Sequence, residues 1–348
     1  MVNRNLILGQ QVGNTGVVVP PYALGAAPLG NLYQAVADDV AEATLRAALG
    51  AGLNYIDTAP HYGFGLSESR VGHFLQGLGA ETVGAPLVST KVGRVLEPIA
   101  PSERADVRFG FADTPDLKPV FDYSYSGVMR SFEESCRRLG RENIDIVFAH
   151  DLGELTHGDQ HKVHWQNFCS GGMHAIQALK AEGRIKAFGL GVNEVEVCQR
   201  ALVELDVDLF LLAGRYTLLE QTPLQTLFPA CQRRGVAVVA AGPFNSGILA
   251  GTLDYGQIYY NYAPAPDDVV RHARAIKAVC DEYAVPLPAA ALQFPLAHPQ
   301  VVSVLAGFAS AEQVNSAKRW VNTDIPQEFW RQLRNTGLID PSAPTPTE

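Results

Sequence analysis

Four ionisable side chains of four different kinds fall at or just beyond the ends of three consecutive short apolar runs. Asp57 closes Asn54–Asp57, Lys91 closes Pro86–Lys91 and His150 closes Ile144–His150, while Tyr62 follows Asp57 in the segment Thr58-Ala59-Pro60-His61-Tyr62-Gly63. A phenol, with a reference pKa of about 10, is a poor acid or base at neutral pH on its own. An ammonium beside it favours the phenolate and lowers that value. A carboxylate paired with the ammonium holds it charged and in place, and an imidazole can donate a hydrogen bond to a reacting oxygen. Such a set is matched to a carbonyl–alcohol pair, as hydride transfer requires. Each residue also has a plainer use: Asp57 as a helix cap, Tyr62 as a packed loop aromatic, Lys91 as a solvated charge, His150 as a core imidazole. Their coincidence at successive run ends is what argues for chemistry.

The elements that must position them are read from alternation. Apolar runs of strand length occur at Tyr22–Ala26, Asn54–Asp57, Pro86–Lys91, Ile144–His150, Ile185–Gly191, Leu209–Ala213, Val236–Ala240 and Val301–Leu305. Amphipathic stretches separate them, among them Asp38–Leu49, Ser67–Leu75, Tyr125–Leu139, Glu194–Leu205, Val269–Tyr283 and Ala311–Trp320. Strongly apolar strands alternating with helices imply a parallel sheet covered by helices. Eight repeats favour an α/β fold of (β/α)₈ TIM-barrel type, a single domain over 1–340. An open sheet would carry a GxGxxG turn after its first strand, and Ala26-Ala27-Pro28-Leu29-Gly30 lacks it. In a parallel barrel the chemistry sits at the C-terminal strand ends, where the four residues fall. The stretches Val92–Tyr123 and Asp151–Gly172 are too long for simple turns and read as functional loops at that face. Residues before Tyr22 suit a short hairpin closing the opposite end, and 341–348, rich in Pro, Ser and Thr, read as a loose tail.

The chain has 348 residues and a formal net charge of −9. That charge argues against a nucleic-acid or anionic-membrane partner. The five cysteines, Cys136, Cys169, Cys198, Cys231 and Cys280, include no CxxC pair, which argues against a disulfide framework or zinc knuckle. No signal peptide is evident near Met1–Gln11 and no run approaches the length of a membrane span. A cytoplasmic protein is expected.

The sequence resembles the aldo-keto reductase superfamily. The resemblance rests on Gly52–Gly63 with its Asp57-Thr58-Ala59 and Tyr62-Gly63, on Ser67-Glu68, on Ser89-Thr90-Lys91-Val92-Gly93, on Asp145–Asp151 and on Lys186–Asn193, and it runs from about Leu6 to Leu338. It implies a catalytic tetrad of Asp57, Tyr62, Lys91 and His150, with Tyr62 as acid/base. Within the superfamily, Phe121–Tyr125, Leu212–Leu219, Ala241–Gly247 and Tyr260-Asn261-Tyr262-Ala263-Pro264 are similar to aldose 1-dehydrogenases acting on L-fucose, L-galactose and D-threo-aldoses, and to pyridoxal 4-dehydrogenases. The implied reaction is NAD-dependent oxidation of a sugar at C1 to the lactone. Pyridoxal oxidation, general carbonyl reduction and a non-catalytic regulatory subunit are the alternatives.

The resemblance further implies cofactor contacts from Asp57, Asn193, Arg215, Tyr216, Gly242, Pro243, Phe244, Gly247, Gly307, Ala309 and Gln313. Tyr33, His61, Tyr123 and Trp165 are candidates for the substrate pocket. Many relatives place an aromatic where Ala241 stands, a Gln where Ala213 stands, and basic residues for the 2′-phosphate of NADP where Gly307 and Gln313 stand. A phosphate without cationic partners is poorly held, so NAD is expected, with NADP as the alternative. His157, His161 and His164, with Asp159 between them, have the spacing of one helical face and offer a rival reading as a divalent-metal site. The family needs no metal, and none is expected.

Overall fold

The computed structural model describes residues 9–78, 85–251, 253, 258–261 and 263–346. Residues 1–8, Tyr262 and the last two residues of the expected tail lie outside them. Eight parallel strands close into a barrel: β1 (Tyr22–Gly25), β2 (Tyr55–Asp57), β3 (Leu87–Val92), β4 (Ile144–His150), β5 (Ile185–Val192), β6 (Leu209–Ala213), β7 (Ala237–Ala241) and β8 (Val301–Gly307). Each falls on an expected run. Helices α1 (Asp38–Gly50), α2 (Leu66–Gln76), α3 (Tyr125–Leu139), α4 (Met173–Ala181), α5 (Val195–Glu204), α6 (Leu227–Arg234), α7 (Asp267–Glu282), α8 (Leu287–Gln293), α9 (Ala311–Val321) and α10 (Gln327–Asn335) complete the chain.

Alternation along the strands divides the core in two. Tyr55, Ile146, Phe148, Ala187, Leu209, Leu211, Val239 and Leu305 fill the barrel interior. Ile56, Val88, Val147, Phe188, Phe210 and Val238 point outward beneath the helices. That parity places the site. Asp57 continues the inward series of Tyr55, and His150 that of Ile146 and Phe148. Register then brings them level: Asp57 pairs with Ser89, Lys91 with Phe148 and His150 with Gly191.

At the other end, a hairpin of Gln10–Gln11 and Val18–Val19 buries Val12, Val17 and Val19 against the same interior cluster, closing the barrel bottom as expected. The two long loops have structure of their own. Val92–Tyr123 folds as nested antiparallel ribbons, Arg94–Pro98 on Leu117–Phe121 and Val107–Arg108 on Phe111–Ala112. Asp151–Gly172 holds short helices at Glu154–His157 and His161–Asn167 and a π-helical turn at Phe168–Gly172 that runs into α4.

The expected loose tail is corrected in part. Ala343 and Thr345 are buried, and Arg334 of α10 donates to Ala343 O at 3.2 Å and to Thr345 Oγ1 at 3.1 Å. Composition suggested a free end; a guanidinium on an unforeseen helix supplies the anchor.

Candidate active site

The deepest feature of the barrel mouth is a buried ion pair. Lys91 Nζ donates to Asp57 Oδ2 at 2.6 Å and to Thr58 O at 2.9 Å, and each side chain is almost wholly sealed from solvent. Ser89 Oγ donates to the second oxygen of Asp57 at 2.6 Å and accepts from Tyr55 OH at 3.0 Å. Burial pushes the Asp57 carboxyl up, while the Lys91 ammonium and the Ser89 hydroxyl pull it back toward the ionised form. The same ammonium lies 4.6 Å from the centre of the Tyr62 ring. The ring of His150 stands 6.0 Å from that of Tyr62, nearly perpendicular to it. One phenol, one ammonium, one carboxylate and one imidazole thus meet at the C-terminal rim.

Local packing explains why Tyr62 arrives there. Gly63 has φ +63°, and a Cβ on it would stand 2.3 Å from Gly30 O; a Cβ on Gly30 would meet the backbone carbon of Tyr62 at 2.6 Å. Two glycines back to back let the Tyr62 loop lie on the turn after β1. Ser67 Oγ bonds Thr58 Oγ1 and Ala26 O, both at 2.8 Å. Glu68 takes Thr90 Oγ1 at 2.5 Å and Arg138 Nε at 2.7 Å, tying α2 to β3 and α3. Gly30→Ala must therefore displace Tyr62. A shift of about 1 Å at a reacting group costs on the order of 10²-fold in rate, so kcat should fall by that order while cofactor affinity changes little. Steady-state kinetics beside a cofactor titration check this, and an unchanged kcat would show that the close approach is not what seats the tyrosine.

His150 is buried and its imidazole is held neutral: burial, then Arg94, Lys91 and His61, keep its pKa well below the ordinary value. Its Nδ1 has no partner. Its Nε2 lies 3.4 Å from Asp151 Oδ2. Beside it, His61 is pushed down to about 2 by burial and by Arg94 and Lys91, and its Nδ1 is also unpartnered. Buried polar groups are normally paired, so two unpartnered imidazole nitrogens side by side are an exception that sets this rim apart.

The sequence pattern described as the Aldo/keto reductase family matches residues 22–337. The chain belongs to the aldo/keto reductase family. A pyridoxal 4-dehydrogenase from Microbacterium luteolum is 44% identical over 94% of this chain and 97% of its own length. A D-threo-aldose 1-dehydrogenase from a Pseudomonas species is 39% identical over 95% of this chain and 97% of its own. The holo form of an aldo-keto reductase from Bacillus halodurans superposes with a TM-score of 0.72, covering 97% of each chain at 24% identity, which bears on the fold. This protein is therefore an oxidoreductase of that family, and membership implies a nicotinamide cofactor.

The expected cofactor positions of this aldo/keto reductase divide into two groups. Gly242, Pro243, Phe244 and Gly247 follow β7, and Gly307, Ala309 and Gln313 follow β8; the Gly242 amide donates to Leu305 O at 3.0 Å and joins the two segments. Phe244 packs edge-on against Trp320 of α9. Gln313 Oε1 accepts from the Ala309 amide at 2.7 Å, and Ser310 caps α9. The stretch Ala306–Gln313 holds no Lys or Arg. Asn193 and Arg215 line a cleft of about 490 Å³ beyond β4 to β6, with Leu155, Trp165, Glu194 and Arg200. Tyr216 does not join them. It is buried among Phe228, Phe294 and His298 in the layer outside the strands. Its expected cofactor contact is corrected: the apolar layer below claims the ring.

Of the substrate candidates, His61 stands at the mouth. Tyr33 is exposed on the rim, stacked on Tyr259 at 6.4 Å. Tyr123 is sealed beneath the site and donates to His150 O at 2.6 Å, so it supports the imidazole's strand end instead of walling the pocket. Trp165 is nearly sealed as well, its Nε1 donating to Glu204 Oε2 at 2.7 Å under the Arg200 guanidinium. His157, His161 and His164 form no cluster of metal-ligating residues, and none occurs elsewhere among the described residues. His157 Nε2 is engaged by Tyr123 OH at 3.0 Å and His161 Nδ1 by Gly158 O at 2.8 Å. No helix among the described residues is long and apolar enough to cross a membrane.

Sequence reasoning passed over Phe109, Phe111, Arg94 and Asp151. Phe111 packs edge-on to His61 at 5.2 Å, and Phe109 is exposed at the tip of the inner ribbon. The length of the loop pointed to function, but nothing in it announced a ribbon. Asp151 was legible only as the residue after His150.

Proposed function

We propose that this chain is an NAD-dependent dehydrogenase that oxidises the C1 hydroxyl of a cyclic aldose, of the L-fucose, L-galactose or D-threo-aldose type, to the lactone. The observation that carries the reading is the Lys91 ammonium, fixed by Asp57 and set against the ring of Tyr62. In this reading Tyr62 takes the proton from the C1 hydroxyl, and Lys91 with Asp57 stabilises the phenolate. His150, held neutral, donates to the same oxygen and orients it. The cofactor's contribution is to accept the hydride that leaves C1. Asn193, the Gly242–Gly247 segment and the backbone amides at the start of α9 are the groups suited to hold it, since free helix N-terminal amides favour phosphate; the Ala309 amide is already taken by Gln313 Oε1. The lack of a cation in Ala306–Gln313 supports NAD over NADP. A side chain at Gly307 would also press on the Pro28 ring at 3.1 Å, so a basic residue there has little room. A small-molecule substrate in the cytoplasm completes the proposal.

A second reading, oxidation of pyridoxal, is favoured by the relative that is 44% identical and by the aromatic edge of His61, Phe109 and Phe111. One screen separates them: NADH formation with L-fucose, L-galactose, D-arabinose and pyridoxal, repeated with NADP. We expect an aldose to be preferred and NAD to exceed NADP by at least about tenfold in kcat/KM, the loss of one charge-assisted phosphate contact. Oxidation of pyridoxal alone would overturn the aldose assignment. Cofactor retention with no turnover of any of them would favour a regulatory subunit.

A further inference from the structure

Asp151 sits beside the reacting centre with no part in the proton relay. Its carboxylate is ion-paired to Arg94 and lies 3.4 Å from His150 Nε2, yet its side chain stays 16% exposed. The backbone there has φ +50°, a left-handed conformation uncommon for a residue with a Cβ and characteristic of functional sites. Three contacts enforce it: the Asp151 amide donates to Gly191 O at 3.0 Å, and Tyr123 OH reaches His150 O at 2.6 Å and Asp151 O at 3.4 Å. The turn directs the carboxylate back over the imidazole. Arg94 is itself buried under Phe121, and its Nε has no partner, which leaves a spare donor in the same cluster. A buried ion pair adds little net stability compared with apolar packing, so fold stability alone does not account for a charged pair at this rim.

We propose that Asp151, held by Arg94, is a specificity-determining residue that accepts a hydrogen bond from the substrate hydroxyl on the carbon next to the one oxidised. This rests on the aldose reading and deepens it. If the reacting oxygen lies against His150 Nε2, a vicinal hydroxyl on the β4 side meets the carboxylate. An ionised carboxylate only accepts and a hydroxyl can donate, so the pairing selects a hydroxyl over hydrogen. Burial pushes the Asp151 carboxyl up; Arg94 and Lys91 oppose that and favour the accepting form.

The test measures kcat/KM for the preferred aldose and for its 2-deoxy analogue in the holoenzyme and in Asp151→Gly, which removes the acceptor and tolerates the positive φ. A site built around a substrate hydroxyl discriminates strongly against its absence. The native enzyme should favour the hydroxylated sugar by at least about tenfold, and Asp151→Gly should lose most of that ratio. An equal ratio in both enzymes overturns the proposal. If Asp151→Gly fails to fold, as judged by circular dichroism, the native enzyme decides: equal use of the two sugars rejects the hydroxyl contact, and strong preference supports it. Failure to oxidise either sugar is a different result, and overturns the aldose reading and this assignment together.

Discussion

Tyr62→Phe should lower turnover by at least about 10³-fold while cofactor affinity stays within about twofold. General acid–base catalysis by a positioned side chain contributes ~10²–10⁴, and neither the two imidazoles at the mouth nor Asp57 can substitute. The pKa of His150 is held well below its ordinary value and that of His61 is pushed down to about 2, so both imidazoles are weak bases for the C1 hydroxyl proton. Asp57 is committed to Lys91 and Ser89. The substitution removes one oxygen and keeps the ring, so the packing against Phe111 and the 4.6 Å approach of Lys91 can persist. In the proposed function the cofactor is held by the loops after β5, β7 and β8, which the phenol does not support. The measurement is kcat from NADH formation together with a fluorescence titration of NAD. Near-native kcat in the variant would remove Tyr62 from the mechanism and the reaction scheme with it.

The barrel was legible because its signal is repetitive. Eight apolar runs, each long enough to cross a parallel sheet, leave few other architectures, and strand parity then turns Asp57, Lys91 and His150 inward without further information. Chain position alone sufficed for those three, since residues at successive strand ends of a closed barrel must converge. Tyr62 was harder, since it lies in a loop beyond its strand end: that loop is seated by the Gly30–Gly63 approach, a contact between distant turns that periodicity does not encode. The misplaced candidates share a cause. Tyr123 and Tyr216 are aromatic residues at or near the mouth in sequence, and aromatic character does not say whether a ring faces a ligand or the layer beneath. Tyr123 and Tyr216 went to the layer beneath, where each ring is almost fully buried. The 341–346 segment shows the same limit from the other side: polar composition allowed looseness, but Arg334 provided partners.

Lys91→Met should be costly twice, and the two costs separate. The substitution leaves the Asp57 carboxylate buried, with Ser89 as its remaining donor. Removing one partner of a buried ion pair costs about 3–5 kcal/mol, which for a chain of this size lowers the apparent Tm by roughly 4–7 °C. Adding Asp57→Asn removes the stranded charge while keeping an acceptor for Ser89, so the double variant should be more stable than Lys91→Met alone. The sign of the pH dependence follows. With the ammonium gone, burial raises the Asp57 pKa further above its unfolded value, so the folded state binds the proton more readily. The loss in Lys91→Met is then greatest above that raised pKa and shrinks as pH falls through it. Activity responds differently. Without the ammonium the Tyr62 phenolate forms only nearer the ordinary phenol value of about 10, so the rising limb of the oxidation rate should move to higher pH in both variants, whether or not stability has been restored. Thermal unfolding from pH 5 to 9 and the pH–rate profile of each variant check both halves. Equal Tm for the single and double variants would mean the carboxylate is not stranded, and an unmoved rate limb would mean the ammonium does not act on the phenol.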